Sequence, residues 1–188
     1  MAAHDDLLRS ARSQLDRQAS TTELKRAVST AYYAVFHCLI ESAVVIIFND
    51  ASCQKEARSW FDHKALASVA SSLSKAPTGG EPELAKRPDY YNQLRSWLDQ
   101  SGTKLGFVSV PTDEEIEIGR GLFQLYEKRQ MADYFTPWDL KLTQARTLVA
   151  RAHDVCKKIE FCVQTRSPGF ACAVTHMLWE SLGKRPRS

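Results

Sequence analysis

The sequence predicts an all-α protein, an up-and-down bundle of four or five helices with an irregular insert and an extra helix at the C-terminal end. Three observations predict it. First, Thr22 to Phe48 is apolar on more than one side: Leu24, Val28, Ala31, Val35, Leu39 and Ala43 recur at spacings of three and four, and Tyr33, Phe36, Ile40, Val44 and Ile47 build a second stripe. A helix of that kind needs neighbours on several sides. Second, Ser20-Thr21-Thr22-Glu23 and Thr112-Asp113-Glu114-Glu115 both have the capping-box form, in which two side chains satisfy free backbone donors of a first turn. Third, Leu7, Leu8, Ala11 and Leu15 make one apolar stripe among Arg9, Arg12, Asp16 and Arg17, the pattern of an outer helix.

In chain order, the outer helix spans Ala3 to Gln18 and turns at Ala19-Ser20 into the long central helix, which Asn49-Asp50 closes. At about 1.5 Å per residue the central helix is roughly 40 Å long, the full height of a small helical domain. A polar connection follows, and Asp62 caps a third helix from His63 to about Ser74, with Ala65, Leu66, Val69 and Leu73 inward. Pro77-Thr78-Gly79-Gly80-Glu81-Pro82 forces a loop and opens an insert over 77–111. Within it, Tyr91, Leu94, Trp97 and Leu98 suggest a short helix and Phe107 to Val110 an extended piece. The second capping box starts a fourth helix reaching about Met131, through Ile116, Ile118, Leu122, Leu125 and Tyr126. Thr136 and Pro137 stand as cap and first residue of a fifth, which carries Leu140, Leu148, Val149, Ala152, Val155 and Ile159 inward and ends near Thr165. Residues 1–166 thus form the bundle, and 167–188 an amphipathic extension, with Val174, Leu178 and Leu182 on one face and the basic end Lys184-Arg185-Pro186-Arg187.

A chain of 188 residues that is 44% hydrophobic suits one core. The net charge of +3 demands no polyanionic partner, though it leaves room for a local basic patch. Met1 to Asp6 has no apolar run after it, and the longest uninterrupted apolar run, Ala43 to Phe48, is too short to cross a bilayer, so a cytoplasmic protein without a membrane partner is expected. The five cysteines, Cys38, Cys53, Cys156, Cys162 and Cys172, are odd in number and include no Cys-x-x-Cys pair, so free thiols are expected. His153, Cys156, Cys162 and His176 have irregular gaps broken by Ser167-Pro168-Gly169, and no metal or other cofactor is expected.

Two stretches carry a family likeness. Arg26-Ala27-Val28-Ser29-Thr30-Ala31-Tyr32-Tyr33-Ala34-Val35-Phe36-His37 is similar to the second-helix signature of HEPN-domain proteins, and Leu125-Tyr126-Glu127-Lys128-Arg129-Gln130-Met131-Ala132-Asp133-Tyr134 resembles the end of their fourth helix. Asp62-His63-Lys64 fits one HEPN subgroup. The resemblance covers about residues 3–165. It implies a bundle that dimerises and brings two fourth-helix motifs into one cleft. Many family members are metal-independent ribonucleases, often toxins of toxin–antitoxin or defence systems; others are silent binding modules beside a minimal nucleotidyltransferase. The expected ligands are therefore RNA, a nucleotide or a partner protein.

In the nuclease members an Arg is followed, after four to six intervening residues, by His, whose imidazole can take a proton from a ribose 2′-OH while the guanidinium stabilises charge on phosphate. This chain keeps Arg129 but holds Tyr134 where the histidine belongs. An ordinary phenol has a pKa of about 10, and lowering it to 7 takes about 4 kcal/mol, so Tyr134 is a weak base. Binding with weak or no catalysis is the first expectation; an endoribonuclease using Arg129 with Tyr134 or His63 is the alternative.

Arg129 and Asp133, one turn apart, read either as an ion pair on one helical face or as part of a cleft. Tyr134 reads as a packing residue at a helix end or as a hydrogen-bond donor. His63 at a helix start would be held neutral by the dipole, as a base or ligand contact requires, or is simply part of the cap. His37, among aromatics, reads as a core histidine or a binding residue, and Arg58 has an Arg-four-His spacing to His63. Arg87, Tyr90 and Arg95 mix cations with aromatics, as in grips on single-stranded RNA and equally in loops that dock on a core.

Overall fold

The computed structural model describes residues 3–16, 18–48, 50–61, 63, 66–67, 70, 112–135 and 137–183. Among the described residues there is no strand, and the elements with described bounds are α1 Ala3–Ser13, α2 Thr21–Ile47, α3 Ala51–Ala57 running into the 3₁₀ turn Arg58–Trp60, α4 Asp113–Tyr134, α5 Leu142–Gln164 and α6 Pro168–Gly183. The all-α bundle predicted from periodicity is the fold.

The central helix is α2, packed by α1, α4, α5 and α6. Its start is the predicted capping box: the Ser20 side chain accepts from the Glu23 amide, and Glu23 accepts from the Ser20 amide at 2.7 Å. Leu24, Val28, Ala31, Val35, Leu39 and Ala43 are all buried, as are Phe36, Ile40, Val44 and Ile47 of the second stripe. By length and composition α2 would span a bilayer, with a mean hydropathy of 1.7 over its most apolar window; 67% of that window is buried inside the bundle. The short uninterrupted run in the sequence hid this, because Tyr32, His37 and Glu41 punctuate a stretch that is apolar on average.

Three elements differ from the sequence reading. α1 ends at Ser13 rather than Gln18, where the Leu15 amide turns back to the Arg12 carbonyl at 3.1 Å. The polar connection after Asp50 is helix α3: Asp50, which reads as a stop for α2, instead caps α3 by accepting from the amides of Ser52 (2.9 Å) and Cys53 (3.0 Å). Pro137 does not open α5. The chain makes a turn there, Trp138 N–H to Phe135 C=O at 3.2 Å, and passes the buried Leu140 before the helix begins at Leu142. His63, Leu66, Ala67 and Ala70 are helical, as expected of the third predicted helix, with Leu66 and Ala70 buried. Its cap Asp62, the residues Ala65, Val69 and Leu73, and the features assigned to 77–111 lie outside the described residues.

α4 and α6 are fastened by one carboxylate. Glu115, fully buried, completes the Thr112 capping box by accepting from the Thr112 amide at 2.8 Å, and its other oxygen accepts from the Phe170 amide at 2.8 Å and from the Ser167 hydroxyl. The acid of one helix start thereby sits at the amide-rich start of another, where the dipole favours negative charge. Gly169 permits this approach, since a β-carbon there would lie 2.3 Å from Glu115 Oε2. Phe170, Val174, Met177 and Leu178 of α6 join the core that α2 centres. Between α5 and α6, Arg166 adopts φ 51°, and the hydrogen bonds Ser167 N–H to Cys162 C=O and Arg166 N–H to Val163 C=O close α5 in a Schellman motif with arginine where glycine is usual.

Candidate functional site

α2 and α4 run antiparallel, and their polar residues match in register. Ser29 and Tyr33 stand one turn apart on α2, and Arg129 and Asp133 one turn apart on α4. The Ser29 hydroxyl donates to Asp133 Oδ1, and Arg129 donates from a terminal guanidinium nitrogen to the Tyr33 hydroxyl at 2.8 Å. Arg129 Nε approaches Asp133 Oδ2 at 2.6 Å as an ion pair without hydrogen-bond alignment. At the end of the same seam the Lys25 ammonium donates to the Phe135 carbonyl at 3.3 Å.

Three tyrosine rings surround the guanidinium. Its carbon lies 5.3 Å from the Tyr134 ring centre, 5.5 Å from Tyr33 and 5.8 Å from Tyr32, all within cation–π range. Only 17% of the Arg129 side chain is exposed. Burial works against its charge, but the Tyr33 hydroxyl and the Asp133 carboxylate outweigh that cost and hold its pKa above the ordinary arginine value. Arg129 is therefore a fixed cation.

The structure draws three predicted site residues around Arg129 and separates others. Asp133 pairs with it, which is the ion-pair reading of that spacing. Tyr134 is 74% exposed, so it is not a packing residue; one face of its ring lies toward the guanidinium and the rest meets solvent. His63 belongs to the same cluster by way of α2: its Nδ1 lies 3.0 Å from the Tyr32 hydroxyl, and its ring stacks on Phe36 at 3.8 Å and meets Tyr33 edge-on at 5.6 Å. His37 is exposed and not in the core, because it falls on the outer side of α2, where the Phe36 ring meets it edge-on at 6.0 Å. Arg58 is held by a two-pronged bond to Glu41 at 2.7 and 2.8 Å, which raises its pKa; Glu41 lies two turns beyond Tyr33 on α2, about 12 Å along the axis. Arg87, Tyr90 and Arg95 lie outside the described residues.

Ser29, Tyr32 and Tyr33 belong to the site and were not singled out in the sequence. Their signal was available, since Ser29 and Tyr33 have the same spacing as Arg129 and Asp133, but it becomes readable only when two helices are paired. The chemistry of the cluster is a buffered positive charge beneath an exposed aromatic ring. Such a surface can stack a flat group, and the charge of Arg129 beneath it is shared with Asp133 at 2.6 Å.

Fold and site together define an all-α bundle with an arginine caged by tyrosines at the seam of α2 and α4. Comparison with models of protein families, with curated proteins and with solved structures finds no match to this chain.

Proposed function

We propose that this chain is a HEPN-type module that acts in the cytoplasm as a homodimer and binds single-stranded RNA at the Tyr134–Arg129 surface, with weak or no catalysis. The observation that carries the reading is the exposed Tyr134 ring set 5.3 Å from a guanidinium that cannot lose its charge. Base stacking on such a ring contributes about 1–3 kcal/mol per base and tolerates any sequence. Two supports come from the chain's own motifs: the stretches that resemble HEPN signatures are the two that face each other in the seam, and the family histidine is replaced by Tyr134. Fold analogy supplies the RNA, and the aromatic–cation surface supplies the mode of binding. A toxin–antitoxin or defence setting, with a minimal nucleotidyltransferase as a partner, belongs to the same analogy.

One observation favours the second reading, a metal-independent endoribonuclease using Arg129 with Tyr134 or His63: Tyr134 lies 5.3 Å from the guanidinium, and His63 is joined to it through Tyr32, whose hydroxyl meets His63 at 3.0 Å and whose ring lies 5.8 Å from the guanidinium. The two readings separate in one experiment: fluorescent single-stranded RNA incubated in chelator with the wild type, Tyr134→Ala, Arg129→Ala and His63→Ala, scored for anisotropy and for cleavage. The binding reading predicts intact RNA, retention by the wild type and a loss of about tenfold or more in Tyr134→Ala. Cleavage in chelator that disappears in the Arg129 and Tyr134 variants gives the nuclease reading instead. Retention unchanged in both Tyr134→Ala and Arg129→Ala removes RNA from this surface and leaves a nucleotide or a partner protein.

A further inference from the structure

A second cluster of reactive side chains lies on another side of α2. Cys38 is five residues beyond Tyr33, so it points about 140° away from the arginine cage, toward α1 and α5. There His4 of α1 and Glu160 of α5 meet at 3.1 Å, Nε2 to Oε1. Donor atoms of His4, Cys38 and Glu160 all fall within 4.8 Å of one another. Cys156 stands one turn before Glu160 on the same helix, and the Cys38 thiol donates to its backbone carbonyl at 3.9 Å. Two of the three grouped side chains are buried: His4 is 6% exposed and Cys38 1%.

The histidine is the unexplained member of this set. Its Nδ1 is buried and has no hydrogen-bond partner, a condition that folded proteins rarely leave unanswered. A packing histidine would be expected to satisfy that atom. We propose that His4, Cys38 and Glu160 form a site for a thiophilic divalent cation of the zinc class, held between α1, α2 and α5, with the fourth position left to water. Bonds of about 2.0–2.3 Å in a tetrahedron place donor atoms about 3.3–3.8 Å apart, so a pair at the 4.8 Å limit closes by about 1–1.5 Å, while His4 and Glu160 already meet at 3.1 Å. A thiol and an imidazole select zinc over magnesium or calcium, which prefer oxygen donors. On binding, the S–H bond of Cys38 breaks, one metal–sulfur bond forms, and the proton passes to solvent as coordinated waters leave. The half-exposed Glu160 carboxylate, 48% accessible, stands at the solvent edge as the route of entry.

Chelator-treated full-length protein under reducing conditions, titrated with Co²⁺ and then Zn²⁺, tests this independently of RNA. The expected result is saturation at one equivalent, a near-ultraviolet thiolate-to-cobalt band with tetrahedral visible bands, and displacement of both by Zn²⁺. Cys38→Ser removes the sulfur band, His4→Gln weakens uptake by about tenfold or more, and Cys53→Ser, at an exposed thiol, changes nothing. Folding of each variant is checked by far-ultraviolet circular dichroism, and the wild-type spectrum decides the matter if a variant does not fold. No sulfur-to-cobalt band in the folded wild type overturns the site. So does a band that survives Cys38→Ser, or a Cys38–Cys156 disulfide with no metal uptake after reduction.

Discussion

Replacing Glu115 by Gln should loosen the junction of α4 and α6 and lower the stability of the whole bundle. Glu115 is fully buried, and its two oxygens accept from three donors: the Thr112 and Phe170 amides, each at 2.8 Å, and the Ser167 hydroxyl. Gln fills the same space but brings one acceptor oxygen and an NH₂ that must face at least one of those donors. Loss of one charge-assisted hydrogen bond is about 1.5–3 kcal/mol, and a buried donor left without a partner adds about 1–3 kcal/mol. A net loss of about 3 kcal/mol is the central expectation. For a chain of this length each kcal/mol moves the midpoint by about 2–4 °C, so the melting temperature should fall by about 6–12 °C. Thermal unfolding followed by circular dichroism measures the shift, and hydrogen exchange at the Phe170 amide reports whether the loss is local to α6. A melting temperature within about 2 °C of wild type, with Phe170 protection unchanged, would refute the reasoning.

Gly121→Ala should destabilise the contact between α4 and α5, since the new β-carbon lies 2.3 Å from Val155 Cγ2; overpacking costs about 1–3 kcal/mol against about 1 kcal/mol of helix propensity gained. Val155→Ala should cost less in the Gly121→Ala background than alone, and a urea-denaturation cycle measures that coupling. Arg166→Gly should stabilise by up to about 1 kcal/mol, because the φ of 51° strains any residue with a β-carbon; a lower urea midpoint would contradict it. Burial, helped by Arg12 and Lys157, holds the His153 pKa below its ordinary value. The folded state therefore binds this proton less readily than the unfolded one, and stability falls as the pH drops through the ordinary histidine range. His153→Gln should flatten the urea midpoint between pH 7 and about 5.

The core of this fold was legible because its signals are local. The stripes of α2 and the boxes at Ser20 and Thr112 each lie within a few residues, and the structure keeps all three. α3 was missed because Asn49-Asp50 reads equally as the end of one helix and the cap of the next, and only the Ser52 and Cys53 amides decide between them. Pro137 misled for a related reason: it fits a first helical turn, but Leu140 buries itself in the core before α5 can begin. The candidate site was half legible. Arg129, Asp133, Tyr134 and His63 stood out by resemblance and spacing, whereas Ser29, Tyr32 and Tyr33 join them only through the register of two helices a hundred residues apart in sequence. The second role of Glu115 was hidden in the same way, because a capping box accounts for the residue completely until Phe170 arrives beside it.

The most direct test of the central claim is where RNA touches the protein. Ultraviolet crosslinking of single-stranded RNA to the full chain, with the adduct mapped by mass spectrometry, should place the adduct on Tyr134 and lose it in Tyr134→Ala. A crosslink confined to residues outside the Arg129 cluster, with Tyr134 unmodified at saturating RNA, would contradict the account.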